Sequence, residues 1–95
     1  MNKYEIMFIV KSDLEEEARK NIVKTLEKTL TDNKATITLS KELGQKEFAY
    51  EINKFKTGYY YLYIVEANAE AVKEFDRVAR INESLLRHLV VKVED

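Results

Sequence analysis

The chain of 95 residues is long enough for one domain with a modest core and too short for two. It has no cysteine, which excludes a disulfide framework and a thiolate metal site. Its formal charge of -1, from 16 basic and 17 acidic residues, excludes the global basicity of a lone nucleic-acid binder, so any polyanion must be met by a local patch. The first apolar run, Ile6 to Val10, stops at Lys11 and is too short for a signal core or a membrane span. A single domain over residues 1–95 with a cytosolic address is the resulting expectation.

Lys3 to Val10 reads as the first strand. Tyr4, Ile6, Phe8 and Val10 share one parity and Met7 and Ile9 the other, so both faces are apolar and the strand belongs inside a sheet. Ser12-Asp13-Leu14-Glu15 has the form of a capping box, which predicts a helix opening at Ser12, with Glu15, Glu16 and Glu17 at its positive end. Leu14, Ala18, Ile22, Leu26 and Leu30, with Val23 beside them, form the buried stripe. Arg19, Lys20, Lys24, Glu27 and Lys28 are expected in water, and the helix ends near Asn33.

From Ala35 the period becomes two. Ala35, Ile37 and Leu39 are apolar on odd positions, whereas Phe48, Tyr50 and Ile52 are apolar on even ones. Such a slip needs a bulge or break, and Gly44 takes it at least cost. Residues 35 to 53 are thus one kinked strand, paired with an aromatic and β-branched strand from 59 to 66. Gly58 is read as a hairpin glycine of positive φ, and Lys54 to Gly58 as a loop projecting beyond the sheet. Asn68 caps a second helix ending near Arg80, which buries Ala71, Val72, Phe75, Val78 and Ala79 and leaves Lys73, Glu74, Asp76 and Arg77 wet. After a turn at Asn82 to Ser84, Leu85 to Val93 forms the last strand, and Glu94-Asp95 is a short tail.

The order β-α-β-β-α-β predicts an α+β, ferredoxin-like fold: a four-stranded antiparallel sheet of order 4-1-3-2 with both helices on one face. The other sheet face is then bare. Yet in the strand from Tyr59, the set Tyr59, Tyr61, Tyr63 and Val65 is opposed by an equally apolar set, Tyr60, Leu62 and Ile64. A bare apolar face on a small domain marks a partner site, although parity alone does not say which set faces the helices.

Few parts for chemistry are present. His88 is the only histidine and no Gly-rich phosphate loop occurs, so triads, zinc sites and nucleotide cradles lack their components. His88 is read as a half-buried strand residue and the carboxylates as solvated helix charges. No catalytic residue, metal or cofactor is expected. Acylphosphatase-like chemistry, the main enzyme candidate on this fold, would want an anion cradle that Val10-Lys11-Ser12-Asp13 does not resemble. Tyrosines flanked by Lys46, Lys54 and Lys56 could stack bases, but Gly58-Tyr59-Tyr60-Tyr61-Leu62-Tyr63 lacks the second glycine of the RNA-recognition signature.

Several short pieces follow one another along nearly the whole chain. They are Lys3-Tyr4-Glu5-Ile6, the helix start after Ser12-Asp13-Leu14, Leu43-Gly44 followed by Phe48-Ala49-Tyr50-Glu51-Ile52, the hairpin from Lys54 to Gly58-Tyr59, and Arg80-Ile81-Asn82-Glu83 leading to Leu86-Arg87-His88-Leu89-Val90-Val91. In this order and spacing they resemble the bacterial small-subunit ribosomal protein S-six family. The chain departs from the family pattern at Gln45-Lys46-Glu47-Phe48, where basic residues usually precede a leucine, and at Glu51, where proline is common.

The resemblance implies a ferredoxin-like, non-catalytic domain that binds the central domain of small-subunit ribosomal RNA as a heterodimer with ribosomal protein S-eighteen. It also raises repression of its own message by that heterodimer. A basic partner would supply much of the phosphate neutralisation that a chain of near-zero charge lacks. The RNA-binding candidates are then Lys3, Lys54, Lys56, Arg80, Arg87 and Lys92, at strand ends, in the hairpin loop or on the last strand; Arg80 and Arg87 could instead pair internally with Glu5 or Glu83. The partner-binding candidates are Phe48, Tyr50, Ile52, Tyr60 and Leu62. The alternative, from another class, is a homodimeric or regulatory sheet protein whose apolar face pairs with its own copy.

Overall fold

Hydrophobic alternation at both parities makes the first strand the one against which the rest is assembled. The computed structural model describes residues 1–93, and the tail Glu94-Asp95 lies outside the described residues. The elements are β1 (Asn2–Lys11), α1 (Glu16–Asp32), β2 (Thr36–Ile52), β3 (Phe55–Ala67), α2 (Ala69–Ile81) and β4 (Leu85–Val93). Their sheet order is β2-β3-β1-β4, the expected 4-1-3-2 read from the other edge, with every pairing antiparallel.

Ile6, Phe8 and Val10 of β1 and Tyr61, Tyr63 and Val65 of β3 are buried against Leu26 and Leu30 of α1 and Ala71, Phe75 and Ala79 of α2. Phe8 stacks on Tyr61 and Tyr63, with ring centroids 5.1 and 5.6 Å away, and tilts against Phe75 at 6.3 Å. This aromatic layer decides the parity that the sequence left open. Odd residues of β3 face the helices, and Tyr60, Leu62 and Ile64 face outward.

The slip in β2 falls where expected. The register shifts between Glu42 and Gly44, and Gly44 has φ +88°, a left-handed conformation that strains any residue with a Cβ. A second shift, between Ile37 and Leu39, was not anticipated. It turns Leu39 outward beside Ile64 and leaves it 40% exposed, so Ile37 and Leu39 do not share a face.

Two local expectations are corrected. Helix α1 begins at Glu16, with Glu15 as N-cap and no side-chain cap. Ser12 does not open it, because its hydroxyl accepts a hydrogen bond from Thr57 Oγ1 at 2.9 Å and is held by β3 instead. Gly58 is not in the hairpin turn. It is a buried residue within β3, opposite Lys11 and Lys46, and the chain reverses at Asn53 and Lys54 (φ 50° and 71°), a two-residue turn of the kind that suits the twist of a hairpin. The segment from Phe55 is therefore strand, not projecting loop.

Candidate nucleic-acid and partner interface

With both helices packed on one side, the strand register defines what the other side displays. Met7 lies between Leu62 and Leu89, Ile9 between Tyr60 and Arg87, and Glu5 between Ile64 and Val91. Leu89 and Val91 are 60% and 46% exposed, so apolar surface reaches the β4 edge. Lys3, Lys41, Lys46 and Arg87 lie on the same face, against only Glu5 and Glu66 as acids among those register positions. The face is thus an apolar centre with a cationic rim on a chain whose net charge is slightly negative.

The hairpin extends this face. Between the pairs Glu47 with Thr57 and Ile52 with Phe55, residues 48–51 of β2 stand opposite Lys56 alone, and this bulge leaves Tyr50 71% exposed. Phe48 packs on Tyr60 at a centroid distance of 6.1 Å. Phe48, Tyr50, Ile52 and Tyr60, with Glu47 and Ala49, line a hollow of about 200 Å³. An adjoining hollow of about 270 Å³ adds Glu51 and Lys56 to its walls. Four of the five partner-binding candidates therefore meet at one place, and Leu62 follows Tyr60 on the same face of β3.

The six cationic candidates are not one patch. Lys54 is in the hairpin turn and Lys56 beside it; both are exposed, and among the described residues neither forms an ion pair. Arg87 is on the open face opposite Ile9. Arg80 is in the last turn of α2, whose connection to β4 lies at the same end of β1 because Lys11 N–H donates to the Ser84 carbonyl at 2.9 Å. It pairs with Asp76, and with neither Glu5 nor Glu83. Lys3 and Lys92 are at the opposite end of the sheet, where Lys3 pairs with Val93 and Tyr4 with Lys92. At about 3.3 Å per strand residue the two groups are separated by roughly 17 Å, from Arg87 to Lys92, up to about 33 Å, from Lys56 to Lys3.

His88 is a half-buried strand residue, as expected, with its ring edge-on to Phe75 and its Nε2 2.7 Å from Asp76 Oδ1. Its hydrogen bond, opposed by desolvation and aided by the Arg80 charge, holds the Asp76 carboxyl below the usual range. The stability from this bond is present above the unfolded carboxylate value, about 4, and is lost as pH falls through the lower folded value.

Two helix residues assigned to water are held by tyrosines. Arg19, with a side chain 11% exposed, lies 3.8 Å over the Tyr59 ring, and its Nε donates to the Tyr61 hydroxyl at 3.0 Å. The Tyr63 hydroxyl donates to Glu27 Oε2 at 2.5 Å. Burial, then this bond to a carboxylate, pushes the Tyr63 phenol well above its ordinary range. Its contribution is therefore present below the unfolded phenol value, about 10, and lost as pH rises through the higher folded value. Tyr63→Phe is expected to cost about 1 kcal/mol in denaturant unfolding at neutral pH, since Glu27 can turn to water, and to flatten the alkaline loss of stability.

Taken together, the fold and this surface define a small ferredoxin-like domain whose helix-free sheet face is apolar and has exposed cations beside it. The model of the family Ribosomal protein S6 matches residues 3–92, and the chain belongs to that family. It is accordingly a small-subunit ribosomal protein. The crystal structure of 30S ribosomal protein S6 from Thermotoga maritima is similar, at 28% sequence identity and a TM-score of 0.93, covering 97% of this chain and 87% of that one. An uncharacterized protein from the same organism shares the fold alone, at 13% identity and a TM-score of 0.63 over 98% of each chain.

Proposed function

We propose that the chain is a non-catalytic component of the small ribosomal subunit in the bacterial cytoplasm, where it binds the central domain of the ribosomal RNA together with ribosomal protein S-eighteen. The observation that carries this reading is the apolar sheet face left uncovered by the helices, with Met7 and Leu62 at its centre, Leu89 and Val91 at the β4 edge and the Phe48, Tyr50, Ile52 and Tyr60 hollow at one end. Burying such surface contributes about 25 cal/mol per Å², which favours a protein partner over water. The hairpin lysines and Arg87 then lie next to the covered area, free for phosphates.

A second copy fits the face less well than a different partner, because the rim cations Lys41, Lys46 and Arg87 would meet a surface bearing the same excess of positive charge. Sedimentation at micromolar concentration is expected to give a monomer, and a stable dimer would favour the homodimeric alternative. Tyr50→Asp is expected to weaken association with S-eighteen by roughly tenfold or more, as loss of an aromatic anchor does, without moving Tm. Unchanged association would remove Tyr50 from the interface. With four to six phosphate contacts, log affinity of the pair for RNA should fall against log salt with a slope of about -3 to -5.

A further inference from the structure

We infer that Asp76 is a positioning residue for Arg80: it holds one nitrogen of the guanidinium while His88, from β4, holds Asp76, so that the rest of the Arg80 fork is presented to an RNA phosphate. The inference rests on the proposed RNA-binding role of Arg80.

The three side chains form one chain of bonds across two elements. Arg80 Nη2 donates to Asp76 Oδ2 one helical turn back, and the other carboxylate oxygen, Oδ1, is bonded by His88 Nε2 at 2.7 Å. The His88 ring is itself fixed edge-on to the buried Phe75. Arg80 is 73% exposed, and among the described residues its Nε and Nη1 have no acceptor. Arg77 on the same helix makes the contrast. Both its Nε and its Nη2 are engaged by Glu74, whose carboxylate, among the described residues, is anchored to no other element, so that edge of its fork is already occupied. An arginine fixed before binding loses less rotamer freedom when it meets a phosphate, and a fork with free N–H groups can make paired bonds to one. The depressed carboxyl of Asp76 agrees with a group that stays charged throughout.

The test uses the full chain with S-eighteen and a central-domain ribosomal RNA fragment, and reads affinity, its salt slope and Tm. Arg80→Ala is expected to reduce affinity about tenfold and to make the slope shallower by about 0.7 to 0.9. Asp76→Asn keeps the arginine charge, so affinity should fall about three- to fivefold with the slope unchanged, and Arg80→Lys, which keeps charge without the fork, should behave alike. His88→Ala should follow Asp76→Asn, whereas His88→Gln, with an amide able to donate to Asp76, should recover most of the affinity. Affinity that is unchanged or tighter in Asp76→Asn, with Arg80→Ala still weakened, overturns the positioning role and would make Asp76 a screen for Arg80. Unchanged affinity and slope in Arg80→Ala would instead overturn the RNA-binding role itself, and the inference with it.

Discussion

Replacing Lys54 and Lys56 together by alanine is expected to weaken RNA binding by the protein and its partner on the order of tenfold, and to make the salt slope shallower by about 1.4 to 1.8. Both residues are exposed at the tip of the β2–β3 hairpin, and among the described residues neither has an ion-pair partner to lose. Lys54 has φ 71°, but alanine there carries the same Cβ as lysine, so the turn gains no new strain. Surface changes away from caps, cavities and networks usually stay within about 0.5 kcal/mol, so Tm should hold. A fall in Tm with unchanged binding would reassign both lysines to the fold.

Gly58→Ala is expected to cost about 2 kcal/mol by overpacking and to lower Tm by roughly 10 °C. A Cβ at this position would lie 2.5 Å from Ile9 Cγ2, 2.8 Å from Phe48 Cζ and 3.3 Å from the Val10 carbonyl oxygen. The Phe48 ring can swing, at the cost of its contact with Tyr60, but the Ile9 methyl is on a β-branched side chain in a central strand and withdraws only if β1 moves. Because both neighbours belong to the open face, the same variant should also weaken the partner complex. A thermal melt within about 2 °C of the parent would show that the clash is relieved at little cost.

Glycine chemistry shows how far the sequence could be read. At Gly44 the hydrophobic parity before and after differs, and only a local break reconciles the two, so the bulge was legible. At Gly58 two causes compete, a turn that needs φ freedom and a strand that needs an absent Cβ. The first is a local signal, whereas the second depends on Ile9, which is far away in the chain. Asn53 and Lys54 took the turn instead. Tertiary hydrogen bonds overrode local expectation in the same way elsewhere. The Ser12 capping box lost its serine to Thr57, and the charges of Arg19 and Glu27 were drawn in by hydroxyls of Tyr61 and Tyr63. The buried stripe of α2 was legible because Ala71, Phe75 and Ala79 repeat at helical spacing.

Of the candidate site, the hollow at Phe48, Tyr50, Ile52 and Tyr60 could be named from alternation alone once the core side was known. The separation of Lys3 and Lys92 from Lys54, Lys56 and Arg87 could not, because it depends on which strand ends the topology brings together. The chain of bonds from His88 through Asp76 to Arg80 likewise spans two elements and leaves no spacing signature.

In the proposed function the sheet face recruits a protein partner, and the pair, through cations beside that face, holds the RNA. The most direct measurement is titration of a central-domain small-subunit ribosomal RNA fragment with this protein alone, with S-eighteen alone and with both. Tight, salt-dependent binding by the pair, weakened by the Lys54 and Lys56 changes and absent or much weaker for either protein alone, is the predicted result. No binding by the pair, with the protein associating with itself instead, would contradict it.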